Sequence, residues 1–554
     1  MTEEKFEVVY FKGLPPAQSG CPRLNPRTET VKWMTIDYDV AVPMRDGIKI
    51  YIDVFRPKRE GKYPVIIAWG PYGKWNPIPY YEMMGNTDLT KNDYSEYCTF
   101  EAPDPAYWTR NGFIIINADI RGSWNSEGDL TLMSPKEVED VYDLIEWVGT
   151  QSWSNGKVGM LGVSYLASTQ WRVAATHPPH LAAIIPWEGA SDYYREMFFH
   201  GGIPETQFSK MWETNVRFSN GKVENLLEMQ RRHPLFDEYW ASKKGDFSQI
   251  TVPALVVASW SDHGMHTRGT IEGFRQMSSK DKWLIVHGRK KWWHFYQKEN
   301  VEKQRQFFNR FLKGIDNHVK DWPKVTLEIR EKYYVGQTRT ENEWPLARTR
   351  YTKLFLNAGD GTMAKSPFKK ETQAKYNVDD IHDKTQNARF EFRFDERTEL
   401  TGYMKLKLWV QSAGSDDMDL FVAIQKIDRS GKTVPFAFCW MHDDGPVALG
   451  WLRVSHRELD EGRSTPYQPF HKHQREIKLK PGEIIPVEIE IWPSSTLFER
   501  GEKLRVVVQG SDIGMYPGQI ATYMHMAYVN RGEHVIYTGG KYDSYLLVPV
   551  IPAG

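Results

Sequence analysis

The feature that most constrains the fold is a series of continuous apolar runs that alternate with helical patterns. The runs are short and apolar throughout, as in strands buried on both faces of a sheet; they lie at 63–69, 112–117, 158–161, 181–186, 254–258 and 282–286. Apolar residues at helical spacing predict helices between several of them, at 137–150, 165–175, about 266–278 and 301–312. Strands that alternate with helices need crossover connections. The pattern therefore predicts an α/β fold with a mostly parallel sheet and helices on both sides.

Two stretches depart from this alternation. Residues 192–250 are rich in aromatic and charged residues, and their spacing predicts helices at Val223–Arg232 and Pro234–Lys243. An insertion of this length between sheet strands commonly forms a lid over a site. The alternative is a set of helices that pack on the surface of the domain without covering a site. From about residue 350 onward, short alternating strands separated by turn residues are typical of a β-sandwich or jelly roll. We therefore expect three units: residues 1–191 with 251–320, the insertion 192–250, and residues 321–554, which include a connector.

Composition excludes several classes of protein. The 554 residues exceed what one core supports. Equal numbers of basic and acidic residues, 71 of each, argue against nucleic-acid binding. Apolar runs stay short of the ~18–20 residues that span a bilayer, and Met1–Lys5 is charged rather than a secretion signal. Three widely spaced cysteines form neither a disulfide framework nor a metal pattern. We expect a cytoplasmic protein that binds no metal, membrane or nucleic acid.

One serine stands between a predicted strand and a predicted helix. Val158–Leu161 is the apolar run, Ser164 follows Gly162, and the helix begins at about Tyr165. A tight strand-to-helix turn exposes such a serine and points the helix N-terminus at it, where backbone N–H groups favour negative charge. The G-x-S-x-G pattern is incomplete, because Leu166 occupies its last position. Ser164 is therefore a candidate nucleophile, and a helix-capping serine is the alternative.

A serine nucleophile needs a base and an orienting carboxylate. Asp262 directly follows the 254–258 strand, where the acid of such a sheet is expected, although an aspartate at a turn can also cap the next helix. The histidine should follow the last strand, and both His287 and His294 do so. We prefer His294, because His287 ends the strand itself and His294 lies in a loop that can lean toward the serine.

The oxyanion of an acyl-transfer reaction needs two donors. The Tyr165 amide, next to the nucleophile, is the first. The second should come from the loop after the 63–69 strand, which contains Tyr72 but no His-Gly-Gly run. The Tyr72 hydroxyl is the candidate donor, and packing of its ring against the insertion is the alternative.

Several segments together resemble the cocaine-esterase / X-prolyl dipeptidyl-peptidase family of serine hydrolases, also called CocE/NonD. The matching segments are Pro43–Ile48 with Phe55–Pro57, Gly70–Lys74, Asp119–Ser123 with Ser126–Gly128, Gly162–Leu166 and Trp260–Asp262, and more loosely Asp416–Leu420 and Gly450–Arg457. The resemblance implies an α/β-hydrolase domain, a helical lid and a C-terminal jelly roll. It implies Ser164 as nucleophile, Asp262 as acid, and the Tyr72 hydroxyl and Tyr165 amide as oxyanion donors.

The histidine is where this sequence departs from the family pattern. The family usually carries Gly-Pro-Trp-x-His just after the last strand, whereas residues 288–294 read Gly-Arg-Lys-Lys-Trp-Trp-His. The proline is missing and two extra residues precede the histidine. The Trp-x-His ending is kept, which favours His294 as the base over His287.

The expected function is hydrolysis of a small-molecule ester or amide through an acyl-enzyme on Ser164, with no cofactor. Acyl transfer to an acceptor other than water and non-catalytic ligand binding are the alternatives, and a homo-oligomer is compatible with the sequence. An amine-recognising pocket would need a carboxylate under the lid; the nearest candidates, which we expect to be solvated, are Asp192, Glu196 and Glu205. Aromatic residues favour a bulky apolar acyl group, or else simply pack the lid onto the sheet; they are Tyr193, Tyr194, Phe198, Phe199 and Trp212.

Overall fold

A mixed sheet organises the first part of the chain in the computed structural model, which describes residues 6–75, 84–514, 525 and 528–552. Its strands are β1 (Arg27–Thr30), β2 (Met34–Pro43), β3 (Lys49–Pro57), β4 (Tyr63–Gly70), β5 (Ile114–Asp119), β6 (Ser154–Val163), β7 (Leu181–Trp187), β8 (Ala254–Ser259), β9 (Lys282–His287), β10 (Val325–Lys332) and β11 (Val335–Glu341). The spatial order is β1-β2-β3-β5-β4-β6-β7-β8-β9-β10-β11. Pairs from β5 to β10 are parallel, and the outer pairs are antiparallel.

Burial explains why the central strands read as unbroken apolar runs. Every described residue of β5 and β8 is buried, and β4 and β7 are buried at all but one position. Strands covered on both faces cannot alternate apolar with polar side chains. The prediction of a mixed α/β fold is confirmed.

The helices lie between these strands and in the insertion. They are α1 (Pro105–Arg110), α2 (Pro135–Gly149), α3 (Tyr165–Ala174), α4 (Phe208–Val216), α5 (Leu226–Arg232), α6 (Glu238–Ser242), α7 (Thr267–Gln276), α8 (Lys291–Tyr296) and α9 (Lys298–Lys313). Shorter helical turns are at Pro16–Ser19, Tyr194–Phe198, Phe247–Gln249, Val319–Asp321 and Val454–His456. Helix α2 begins where the Ser134 side chain accepts a hydrogen bond from the Glu137 amide.

Three local predictions are wrong. The helix predicted at Val223–Arg232 begins later, because Lys222–Glu224 forms a strand with Tyr10–Lys12. The helix predicted at Pro234–Lys243 shortens to α6, whose first turn is capped by the Asp237 carboxylate. His294 lies in helix α8 and not in a loop. Two more short strands in the insertion, Phe199–His200 and Ile203–Pro204, pair with each other.

Antiparallel pairs dominate the C-terminal part of the chain. Its strands are β12 (Arg350–Asn357), β13 (Thr362–Ala364), β14 (Thr372–Asn377), β15 (Ala388–Arg393), β16 (Thr398–Ala413), β17 (Asp419–Ile427), β18 (Thr433–Val434), β19 (Phe436–Phe438), β20 (His442–Gly445), β21 (Ala448–Arg453), β22 (Ile485–Phe498), β23 (Lys503–Gln509), β24 (Glu533–Thr538) and β25 (Tyr545–Ile551). The long strands β16 and β22 pair along most of their length. These strands enclose a hydrophobic core separate from that of the first sheet.

The carboxyl ends of the central parallel strands meet at one edge of the sheet. Strands β4, β6, β7, β8 and β9 end there at Gly70, Val163, Trp187, Ser259 and His287. Side chains that follow these ends are brought together, as in other open α/β sheets. In the part of the chain that the structure describes, no helix is long and apolar enough to cross a membrane. The predicted absence of a secretion signal rests on residues 1–5, which lie outside the described residues.

Candidate active site

Ser164 occupies a sharp turn between β6 and α3. Its backbone has φ 60° and ψ −114°, a combination that non-glycine residues rarely adopt. The turn is held because the Ser164 amide donates to the carbonyls of Trp187 and Glu188, both at 3.1 Å. Gly162 is required beneath it, since a Cβ there would lie 2.5 Å from the Leu166 Cβ. The geometry is that of a nucleophile elbow.

Ser164 is paired with His266, a residue that the sequence patterns did not single out as the base. The Ser164 Oγ lies 3.2 Å from the His266 Nε2, and the His266 Nδ1 lies 2.6 Å from the Asp262 Oδ2. Both Asp262 and His266 are buried, with exposed fractions of 0% and 1%. An Nδ1 proton directed at the carboxylate leaves the Nε2 lone pair facing the serine hydroxyl. This is the arrangement of a serine–histidine–acid triad.

A short loop after β8 brings the acid and the histidine together. The amides of Met265, His266 and Thr267 all donate to the Asp262 carbonyl, at 3.2 to 3.3 Å. Gly264 has φ +93°, which L side chains rarely adopt, and so permits the turn. This turn, just before α7, places the side chains of Asp262 and His266, which are four residues apart, on the same side.

The two predicted histidines lie elsewhere. The His287 and His294 rings stack on each other with centroids 3.6 Å apart, and His294 packs against Trp187. The His287 Nδ1 accepts a hydrogen bond from the Arg289 amide, and its Nε2 lies 3.0 Å from the Glu188 Oε1. Among the described residues, the hydrogen bond from an imidazole to Ser164 is made by His266. The choice of His294, with His287 as its alternative, therefore does not match the geometry.

The predicted oxyanion donors lie next to the elbow. Tyr165 turns its hydroxyl away from Ser164, to donate to the Glu137 Oε2 at 2.7 Å. Its amide opens helix α3, where the first N–H groups have no helical carbonyl to bond. The Tyr72 ring packs edge-on against the rings of Phe100 and Tyr165, with centroids 5.1 and 6.3 Å away. The Tyr72 ring therefore packs against aromatic neighbours and also lies next to the turn that carries Ser164, so these contacts fit both roles considered for it.

A buried lysine belongs to the same cluster. The Lys291 Nζ lies 3.1 Å from both the Asp262 Oδ2 and the His266 Nδ1. Burial and the neighbouring Lys291 ammonium, partly opposed by Asp262, lower the pKa of His266 to about 4. Burial by itself would raise the pKa of Asp262, but Lys291 and His266 outweigh it, and the net direction is downward. Asp262 is therefore a carboxylate at neutral pH and His266 is an uncharged imidazole.

Two further carboxyl groups are close to this cluster. Burial raises the pKa of Glu101 to about 8 against the opposing effect of Lys291. Burial, followed by repulsion from Asp262, also raises the pKa of Glu188 well above its usual value. Both groups thus favour their protonated forms near neutral pH. Lys291 and Asp262 are then the charged pair at the centre of the cluster.

The C-terminal part of the chain holds the loop that carries Asp262 and His266. The Leu449 amide donates to the His263 Nδ1 at 3.1 Å, and the Cys439 amide donates to the Ser261 carbonyl at 2.8 Å. One helical turn further on, Arg268 in α7 contacts Glu490 of β22 at 3.0 Å. The position of the histidine therefore depends on both parts of the chain.

A family description of X-Pro dipeptidyl-peptidase (S15 family) matches residues 46–296, and the X-Pro dipeptidyl-peptidase C-terminal non-catalytic domain matches residues 317–547. The first match includes Ser164, Asp262 and His266. The second begins between α9 and β10 and covers the antiparallel strands.

Individual proteins that are similar to this chain are hydrolases and esterases. A crystal structure of a CocE/NonD family hydrolase from Staphylococcus aureus is 44% identical, covers 100% of this chain and 99% of its own, and superposes with a TM-score of 0.92. The cocaine esterase of Rhodococcus sp. is 23% identical over 93% of this chain and 98% of its own length. A putative serine esterase of Mycobacterium bovis is 21% identical over 85% of this chain and 90% of its own.

Proposed function

Because the chain belongs to the CocE/NonD family and is a serine hydrolase, we propose that Ser164, His266 and Asp262 are its catalytic triad. The observation that carries this proposal is the continuous pair of hydrogen bonds from the Ser164 Oγ through the imidazole to the Asp262 carboxylate. The strained backbone of Ser164 supports it, since strain at a buried serine is typical of a nucleophile elbow.

The proposed reaction is hydrolysis of an ester or amide. The His266 Nε2 takes the Ser164 proton while Oγ bonds to the substrate carbonyl carbon, and the negative charge that develops on the carbonyl oxygen is stabilised by the Tyr165 amide and the Tyr72 hydroxyl. The imidazolium, stabilised by Asp262, gives its proton to the leaving group as the acyl-enzyme forms. Water then attacks the acyl carbon, loses its proton to His266, and the Ser164 hydroxyl is restored. Transfer to another acceptor stays an untested alternative.

The domain division also forms part of the proposal. The predicted division gives residues 1–191 with 251–320 to the α/β-hydrolase domain, 192–250 to a lid and 321–554 to a jelly roll with its connector. We move the boundary at 320 to the end of β11, because β10 and β11 extend the first sheet. The jelly roll would support catalysis indirectly, since its backbone amides bind the loop that bears Asp262 and His266.

A cluster of aromatic side chains that includes Tyr165, the residue after Ser164, supports a bulky apolar acyl group. Seven aromatic side chains form a closed cycle of ring contacts with neighbouring centroids 5.1 to 6.4 Å apart; in order they are Tyr72, Phe100, Trp292, Trp440, Phe208, Trp212 and Tyr165. Of the five aromatic residues predicted for the lid, Trp212 belongs to this cycle. Tyr194, Phe198 and Phe199 instead pack around Trp240.

The three carboxylates considered for amine recognition are otherwise occupied. The expectation that they are solvated is wrong, because all three are buried. Asp192 binds the Arg195 guanidinium, Glu196 binds Arg268, and Glu205 accepts the amides at the start of α4. These contacts favour a neutral acyl group over an α-amino acid.

The test is hydrolysis of p-nitrophenyl acetate and p-nitrophenyl benzoate. Ser164→Ala should abolish turnover of both and also labelling by a fluorophosphonate; undiminished turnover by that variant would contradict the triad. Burial of a phenyl ring is worth about 1.5–3 kcal/mol, which predicts a roughly 10- to 100-fold preference for benzoate in kcat/KM. Trp212→Leu should reduce that preference, and an equal loss on both esters would show that Trp212 does not contact the acyl group.

A further inference from the structure

Lys291 has no place in the reaction steps above, although it touches two members of the proposed triad. Its side chain is 1% exposed, and its Nζ lies 3.1 Å from the Asp262 Oδ2 and 3.1 Å from the His266 Nδ1. Since the Nδ1 proton is directed at Asp262, both nitrogens donate to the same carboxylate oxygen. A buried ammonium carries a large desolvation cost, so a lysine in this position needs strong compensating contacts.

Those contacts come from every element packed around the ammonium. Asp262 and His266 lie on the loop after β8, and Glu188 follows β7. Glu101 lies in the segment before α1. The Asp262 carboxylate raises the pKa of Lys291 against the effect of burial, and Glu188 and Glu101 add to this effect when they are ionised. The Trp440 ring of the C-terminal part lies 4.9 Å from Nζ, within cation–π distance. Lys291 is therefore held charged and fixed.

We propose that Lys291 is a positioning residue of this site: its ammonium fixes the Asp262 carboxylate against His266 and holds a positive charge beside the imidazole. The proposal rests on the triad proposed above. It does not make Lys291 a catalytic residue, because none of its described contacts is with Ser164. What it changes is the pH range over which the imidazole can accept a proton.

The direction of that change follows from electrostatics. A cation 3.1 Å from Nδ1 opposes formation of the imidazolium, as does burial, and together they lower the pKa of His266 to about 4. A base with that pKa is still about 97% neutral at pH 5.5. If the imidazole instead had its ordinary pKa of about 6.5, only about 9% would be neutral at that pH, so kcat/KM would fall about tenfold relative to pH 8.

The experiment compares pH profiles of kcat/KM from pH 8 to 5.5 for the full chain and three variants, with folding checked at each pH by circular dichroism. Lys291→Met removes the charge at similar volume, and Lys291→Arg keeps it. Lys290→Met is the matched control, because Lys290 is also buried but pairs with Asp88 and Asp443 instead. Ser164→Ala reports on the triad separately.

We expect a flat profile for the unmodified protein, for Lys291→Arg and for Lys290→Met. For Lys291→Met we expect an acid limb that moves up toward pH 6.5 without reaching it, because burial still opposes the imidazolium when the ammonium is gone. A Lys291→Met profile as flat as that of the unmodified protein would overturn the proposal even if overall activity fell, since that loss would be structural. If Lys291→Met does not fold, the pH profile of the unmodified protein is the test. An acid limb near pH 6.5 in that profile overturns the proposal, and a flat profile supports it. Full activity of Ser164→Ala would instead overturn the proposed function.

Discussion

Replacement of His266 by glutamine separates the observed geometry from the expectation based on chain order. Glutamine keeps a polar side chain of similar length in the turn after β8 but cannot accept the Ser164 proton as imidazole does. The substitution removes the 3.2 Å approach of the imidazole to the Ser164 Oγ and its 2.6 Å hydrogen bond to Asp262. Because both partners are buried, bulk water has little access to replace the base.

The expected loss of activity is large. Removing one member of a serine triad lowers kcat by about 10⁴- to 10⁶-fold, which corresponds to roughly 5–8 kcal/mol of barrier, and leaves the catalysis contributed by the oxyanion donors. The matched variants His294→Gln and His287→Gln alter a stacked pair that makes no hydrogen bond to Ser164 among the described residues. Each should stay within about tenfold of the unmodified protein, since substitution of a residue that does not touch Ser164 costs mainly packing.

The assay is hydrolysis of p-nitrophenyl benzoate at saturating substrate, with folding verified by circular dichroism. The double variant of Ser164→Ala with His266→Gln should be no slower than Ser164→Ala alone, because residues that act as a unit are not additive. An active His266→Gln protein together with an inactive His294→Gln or His287→Gln protein would refute the reasoning, and would mean that the imidazole at Ser164 changes when substrate binds.

Three further outcomes follow from the same structure. Tyr72→Phe should lower kcat by about 10²- to 10³-fold, measured on the same ester, if the hydroxyl is an oxyanion donor; a smaller change would leave it a packing residue. Arg268→Met leaves Glu196 and Glu490 without their buried cation and should cost about 3–5 kcal/mol in urea unfolding. The loss should be smaller if Glu490→Gln is already present, since only Glu196 is then left without the cation. Burial, then repulsion from the His525 imidazole, lowers the pKa of His200 to about 3. The unfolded chain protonates this histidine below about pH 6.5 and the folded chain does not, so His200 alone should contribute a fall in stability of about 1.4 kcal/mol per pH unit below 6.5. His200→Asn should reduce the total slope by that amount in urea titrations at pH 7.5 and 5.5.

The parts of the fold that the sequence predicts are those in which one physical cause dominates. Strand β8 is buried along its whole length, so burial alone accounts for its composition. Helix α9 begins three residues before the predicted start and ends one residue after the predicted end. The insertion is predicted less well because its conformations depend on distant partners. Lys222–Glu224 is extended only because Tyr10–Lys12 lies beside it, and no local pattern specifies that pairing.

The nucleophile could be located for a similar reason. An elbow at Ser164 requires a buried strand, a small residue at position 162 and a helix, all within a few residues of each other. Asp262 follows from its place after β8. Tyr72 could be placed near the elbow, but whether its hydroxyl faces a substrate is decided by rings from other segments, including Phe100.

The sequence prediction of the histidine is wrong because chain order and local spacing point to different residues. The expectation that the base follows the last strand comes from topology, and His294 satisfies it by its position in the chain. In the structure, however, helix α8 directs the His294 ring toward His287 and Trp187. His266 lies four residues beyond Asp262 at the start of a predicted helix, and that interval alone places a carboxylate and an imidazole within reach of each other. The residue near the usual histidine position is instead Lys291, whose ammonium contacts the same Asp262 oxygen. The acid therefore lies between a histidine from the start of α7 and a lysine from α8, so a carboxylate fixed at the end of β8 is within reach of side chains from two different helices that follow it.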